Sequence, residues 1–301
     1  MDILADWRDG ATSLLWRSTT EANDGADVTV FVRRTGTPGA PALVCVHGFP
    51  TSSIDYYGLA RELAADFDIF VLDFPGYGLS DKPPAPYVYS LFDDARLLAH
   101  AITEVWRLTD YLMVTHDRGS SVGMIALDIL AAQHPGAVPA DVVMTNANIY
   151  LPLANLTAFQ TALLDDATGR ATAAVTTPEL LAAGLGASTF MPRRTLEDPE
   201  IAALAKCFAH NDGIRVLPDT IAYLHERAEH EPVGSRHFPR ATSTSPWCGA
   251  CMTTSHRFAS PTTCGRRTSK TNRDATVTGC CPPQTTTCNV TRRLNWHRSS
   301  G

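Results

Sequence analysis

A chain of 301 residues, 44% of them apolar, has the material for a buried core, which excludes disorder as a description of the whole. The formal charge of −6 sums two unlike parts: residues 1–232 hold 30 acids against 15 lysines and arginines, whereas residues 233–301 hold one acid, Asp274, against 10. No apolar run is long enough to span a bilayer, and "MDILADWRDG" has acids where a secretion signal has basic residues, so a soluble, cytoplasmic protein with no membrane partner is expected.

In chain order, Val28 to Arg34 alternates around valines and Ala42 to Val46 is a continuous apolar run; both read as strands. Ser53 to Phe67 has helical spacing. Ile69 to Leu72 reads as a buried strand, Leu91 to Leu108 as a helix, Tyr111 to Thr115 as a strand, Ser120 to Gln133 as a helix and Val142 to Thr145 as a strand. Near-continuous apolar strands alternating with helices predict an α/β fold with a mostly parallel sheet flanked by helices. From Tyr150 to Glu231 the strand signal stops, and segments such as "TPELLAAGLG" and "PEIAALAKCFAH" predict a helical insertion over the carboxyl edge of the sheet. The expected division is residues 1–149 as core, 150–231 as helical cap and 232–301 as a tail of different composition.

Between the strand at Tyr111 and the helix at Ser120 stands "HDRG", which sets Asp117 at the edge where parallel sheets bind ligands. A helix start favours a negative charge, so Asp117 taken alone serves equally well as an N-cap. Two further stretches sit at the ends of preceding strands: "HGFP", His47 to Pro50, and "DFPGYGLSD", Asp73 to Asp81.

Together and in this order, the three stretches resemble the α/β-hydrolase superfamily, in its branch with an aspartate nucleophile, the epoxide hydrolases and haloalkane dehalogenases. The resemblance spans roughly residues 27 to 231. It implies an α/β-hydrolase fold and a small-molecule substrate, and it implies no cofactor and no metal. Asp117 is then the nucleophile. A carboxylate attacking a saturated carbon leaves an ester that water can cleave, whereas a serine would leave an ether. The backbone N–H groups of Phe49 and Arg118 would form the oxyanion hole. Thr115 replaces the first glycine of the usual elbow. His47 and Asp81 read as loop-shaping residues.

The substrate class rests on fewer residues. Haloalkane dehalogenases place tryptophan directly after the nucleophile and often asparagine in the "HG" loop, where this chain has Arg118 and Phe49. "HDRG" is also similar to fluoroacetate dehalogenases, which add a second arginine three residues later to grip a carboxylate; here that residue is Ser121. "HGFP" is the form common in epoxide hydrolases, whose caps supply tyrosines to protonate the opening oxygen. Tyr150 and Tyr223 are the candidates by position. Epoxide to diol is the expected reaction, with haloalkane or haloacid dehalogenation as the alternative.

The family also needs a histidine and an orienting acid after the cap. The tail offers His237, His256, His297 and Asp274, none of them after an apolar strand, so the last part of the sheet is expected to be missing and the tail disordered. "CGAC", Cys248 to Cys251, has the spacing of half a zinc site, and the basic charge could suit nucleic acid, but no matching second half follows. Neither partner is expected. The genetic code explains the tail better. When Pro246 to Arg257 is read from one base earlier, its codons permit V-V-W-G-M-H-D-D-I-A-P, with the first aspartate forced whatever the wobble bases are. Gly279 to Asn289 then permits L-L-P-A-A-N-H-Y-L-Q, a strand running into a histidine. The tail therefore reads as the product of a one-base deletion or two-base insertion near Pro232, and the chain as written as impaired in catalysis.

Overall fold

The computed structural model describes residues 2–147, 154–234 and 276–278, with residues 231–234 and 276–278 described by their backbone alone. Its sheet opens with β1 (Thr12–Arg17) antiparallel to β2 (Asp27–Gly36), and β2 is in turn antiparallel to β4 (Asp68–Leu72). From there β3 (Ala42–Val46), β4, β5 (Tyr111–His116) and β6 (Asp141–Thr145) run parallel, and with β7 (Thr276–Thr278) the spatial order is β1-β2-β4-β3-β5-β6-β7. All five residues of β3 and all five of β4 are buried, as helices on both faces of a parallel sheet require. The first strand and a short helix before it, α1 (Ile3–Arg8), escape a pattern reading. In β1 only Trp16 is buried, so it shows no alternation.

The helix expected over Ser53 to Phe67 forms as a 3₁₀ turn, Ser53–Tyr56, continuing into α2 (Tyr57–Leu63). The helix expected over Leu91 to Leu108 divides. Its first part, α3 (Leu91–His100), is capped by the Ser90 hydroxyl, which accepts from the N–H groups of Phe92 and Asp93. A π-helical turn, Ala101–Val105, follows, in which the Thr103 hydroxyl bonds back to the Ala99 carbonyl and the Trp106 N–H reaches Ala101. Helix α4 (Arg118–Gln133) packs against α3.

Residues 158–234 are helical, as expected: α5 (Ala158–Leu164), α6 (Gly169–Val175), α7 (Pro178–Ser188), α8 (Pro199–Ala209), α9 (Leu217–Ile221) and α10 (Tyr223–Gly234). Their starts follow local chemistry. Thr157 and Gln160 form a capping box, and Thr177 and Asp198 cap helices whose first residue is proline. The segment is tied to the sheet layer at several points. Glu226 accepts from the Ser90 hydroxyl at 2.5 Å and the Leu91 N–H at 2.6 Å, and the Tyr77 hydroxyl donates to the Thr220 carbonyl at 3.4 Å.

Within the tail, the backbone of Thr276–Thr278 forms a three-residue strand, β7, that pairs parallel with β6. The rest of the tail, with the "CGAC" stretch and its histidines, lies outside the described residues. Among the described residues no helix is long and apolar enough to cross a membrane.

Candidate active site

Strand β5 ends at His116, opposite Thr145 of β6, and the chain turns at once into α4. Asp117 occupies the turn with φ 49° and ψ −122°, a conformation that costs a non-glycine residue of order 1–3 kcal/mol and persists only where neighbours enforce it. Here its N–H donates to the Thr145 carbonyl at 3.1 Å and its carbonyl accepts from the Ser120 N–H at 3.0 Å. Two residues on, Gly119 packs directly on the end of β3 and the loop that follows: a Cβ there would lie 2.4 Å from both the Val46 and His47 carbonyl oxygens. Thr115 is accommodated at the position where the usual elbow has glycine. Its hydroxyl shares a 2.8 Å hydrogen bond with Ser120, and its methyl occupies the space that a Cβ on Gly123 would need.

The loop after β3 meets this elbow. The Phe49 N–H donates to Asp117 Oδ2 at 2.9 Å, so one of the two donors expected from the sequence is directed at the carboxylate. The other, the Arg118 N–H, belongs to the first turn of α4, whose donors have no partner within a helix. His47 sets the loop. Its Nε2 accepts from the Phe74 N–H at 3.0 Å, which leaves the proton on Nδ1 to donate to the Gly48 carbonyl, also at 3.0 Å. Complete burial pushes the imidazole down to about 3, so it is neutral at physiological pH. Asp73 accepts from the N–H groups of Ser53 and Leu79, each at 2.7 Å, and Asp81 accepts from the Thr29 N–H of β2 at 2.8 Å. Both carboxylates shape loops.

The side chain of Arg118 is only 1% exposed and forms an ion pair with Asp94 of α3, itself 6% exposed. Three rings surround the guanidinium, with Tyr77 at 5.1 Å, Tyr223 at 5.3 Å and Phe74 at 5.7 Å. Its Nε and Nη1 are buried without a hydrogen-bond partner. Burial, partly offset by Arg118, pushes the Asp94 carboxyl up to about 7. Of the two tyrosines singled out from sequence, Tyr223 is brought to the site, buried with its ring 6.1 Å from Phe49, and it interacts electrostatically with Asp117. Burial holds its hydroxyl well above the ordinary phenol range, so it stays protonated. Tyr150 lies outside the described residues. Ser121, in the position of a second arginine, is buried in α4.

Asp94, and the enclosure of Arg118 by Phe74 and Tyr77, went unrecognised in the sequence. A signal was available: Asp94 stands within the apolar stripe Leu91, Ala95, Leu98, Ile102, where an unpaired acid would be costly. An open depression of about 690 Å³, lined by Ile3, Arg194 and Glu200 among others, includes none of the residues around Asp117.

Comparison with known proteins agrees with the fold. A family model described as alpha/beta hydrolase fold matches residues 41–177. LipZ of Mycobacterium tuberculosis, a hydrolase by name, is 32% identical over 232 residues, covering 75% of this chain and 73% of LipZ. The human mesoderm-specific transcript homolog protein is 40% identical over 93 residues, 29% of this chain and 27% of that protein. Among solved structures, Cfl2 from Burkholderia cenocepacia superposes with a TM-score of 0.58 at 18% identity, over 75% of this chain and 76% of Cfl2, a likeness of fold.

Proposed function

The chain belongs to the α/β-hydrolase fold family, and from that premise we propose that it is a hydrolase in which Asp117 attacks a saturated electrophilic carbon, with an epoxide as the substrate class. The observation that carries this reading is a carboxylate on a strained elbow with one oxygen held by the Phe49 N–H at 2.9 Å, which directs the other toward substrate. In the first step Asp117 Oδ1 bonds to an epoxide carbon, the carbon–oxygen bond of the ring breaks, and the released oxygen takes a proton from a phenol, the role read for Tyr223 and Tyr150. The product is an aspartyl ester. Water then adds to the ester carbonyl, and the Phe49 and Arg118 N–H groups stabilise the oxyanion before the diol leaves. A halide leaving group is less well served. Arg118 stands where the dehalogenases keep tryptophan, and its charge is engaged by Asp94.

The domains follow the same logic: residues 1–149 as core, 150–231 as cap, and residues 232–301 as an out-of-frame product lacking the base and acid of the second step. The chain as written then forms the ester and stalls after about one turnover. The test is mass spectrometry of the full-length chain after incubation with styrene oxide. A stoichiometric adduct on the peptide containing Asp117, absent in Asp117→Asn, is expected, and restoring the frame near Pro232 should convert it into repeated turnover. Cleavage of p-nitrophenyl esters by Asp117→Asn at the unchanged rate would overturn the reading in favour of an esterase.

A further inference from the structure

Arg118 brings more hydrogen-bonding capacity to the site than its surroundings use. One guanidinium nitrogen is committed to Asp94, and two more, Nε and Nη1, are buried without a partner inside the enclosure of Phe74, Tyr77 and Tyr223. A carboxylate accepts two parallel N–H bonds along one edge of a guanidinium, and each such edge of Arg118 pairs a free nitrogen, Nε or Nη1, with the Nη2 that serves Asp94, so a second carboxylate has an edge to bind. The charge balance forbids it. With Asp94 in place the pair is neutral, and a second carboxylate would put two negative charges on one buried cation.

Building on the reading of Asp117 as nucleophile, we propose that Asp94 is an internal counter-ion that sets the substrate class: with Asp94 in place the site takes uncharged electrophiles, and loss of its charge opens Arg118 to a substrate carboxylate. Asp94 acts through Arg118 and is therefore a positioning residue. The neighbouring acids do not replace it. Asp93 is held by Trp16, Ser18 and Thr19, and Glu226 by Ser90 and Leu91, so both are committed elsewhere while adding negative charge around Asp94.

Glycidamide and glycidate, epoxides of nearly equal size that differ by one charge, test the proposal on the full-length chain. Adduct formation at Asp117, followed by peptide mass, should favour the amide by about tenfold or more in the wild type, and Asp94→Asn should shift the ratio toward the acid by about tenfold. Asp94→Asn with Arg118→Met should lose that gain. A second measurement is independent of covalent chemistry. Asp94→Asn leaves a buried cation without its counter-ion, so propionate, and not propionamide, should raise its melting temperature by several degrees while leaving the wild type unmoved. If the variant does not fold alone, refolding in propionate becomes the readout. An unchanged acid-to-amide ratio, or a variant that propionate neither stabilises nor refolds, overturns the proposal. Absence of any glycidamide adduct in the wild type would instead remove the nucleophile reading, and the propionate result would still decide the role of Asp94.

Discussion

The loop His47 to Phe49 and the helix start at Arg118 face the same carboxylate and are built in opposite ways. On the loop side, His47 is bonded through both ring nitrogens and Asp73 accepts two backbone N–H groups, so buried polar atoms are matched donor to acceptor. On the helix side, Arg118 keeps two buried donors unmatched and depends on a single acidic partner. The first arrangement holds the Phe49 N–H in one position, as an oxyanion donor must be held. The second leaves capacity that a ligand or a mutation can alter.

The largest effect is expected where the contrast is greatest. Arg118→Met leaves Asp94 buried without its cation and should destabilise the protein by about 3–5 kcal/mol, read by urea or thermal unfolding. The sign with pH follows from Asp94. Burial raises its carboxyl to about 7 even with Arg118 beside it, and removal of the cation raises it further, so an unpaired Asp94 is tolerated while protonated and its cost relative to the wild type grows as pH rises past 7. The loss should therefore be greater at pH 8 than at pH 6. Replacing both partners by apolar residues, Asp94→Leu with Arg118→Met, should return stability to within about 1 kcal/mol of the wild type. A single mutant that costs less than the double mutant would show that the pair does not anchor α3 to α4.

The loop side is sensitive to acid. His47 has a folded value depressed to about 3 against an ordinary 6.5, so its contribution to stability is complete above pH 6.5 and is lost as pH falls toward 3. At pH 4 the loss is on the order of 3 kcal/mol, because each step of one pH unit below 6.5 costs about 1.4 kcal/mol. His47→Gln, although less stable at pH 7, should lose less stability between pH 7 and pH 4 than the wild type. Equal slopes in the two proteins would place the acid sensitivity elsewhere. A smaller loss is expected at the contact between the two sides. Gly119→Ala pushes a methyl into the carbonyl oxygens of Val46 and His47 and should cost about 2 kcal/mol, with ester formation at Asp117 reduced as the elbow shifts.

The two sides also differ in how far the sequence revealed them. "HGFP" and "HDRG" place Phe49 and Asp117 because a strand end, a tight turn and a helix start are local events, and the structure brings the Phe49 N–H to Asp117. The central strands were legible as apolar runs for the same reason. The pairing of Asp94 with Arg118 depends on how α3 lies against α4, across 24 residues of chain, and no short-range pattern encodes that. Edge strand β1 was missed because one of its faces is solvated and only Trp16 is buried. The division of the helix after Leu91 follows from the Thr103 back-bond and a widened turn, neither of which disturbs apolar spacing.

The smallest effect concerns Thr115, the departure from the usual glycine of the elbow. Its side chain does two separable things, since the hydroxyl satisfies the fully buried Ser120 and the methyl fills the gap opposite Gly123. Thr115→Val keeps the shape and removes the hydroxyl, which leaves the Ser120 oxygen without this partner at a cost of about 1–2 kcal/mol. Thr115→Ser keeps the hydrogen bond and removes the methyl, at a cost of about 1 kcal/mol. Neither change touches the Phe49 N–H or the Asp117 turn directly, so the rate of ester formation should stay within about threefold of the wild type in both. If Thr115→Ser is neutral while Thr115→Val is costly, the residue is retained for Ser120 alone. A tenfold fall in ester formation in either variant would mean instead that Thr115 helps to aim Asp117, and that the helix start is as tightly set as the loop opposite it.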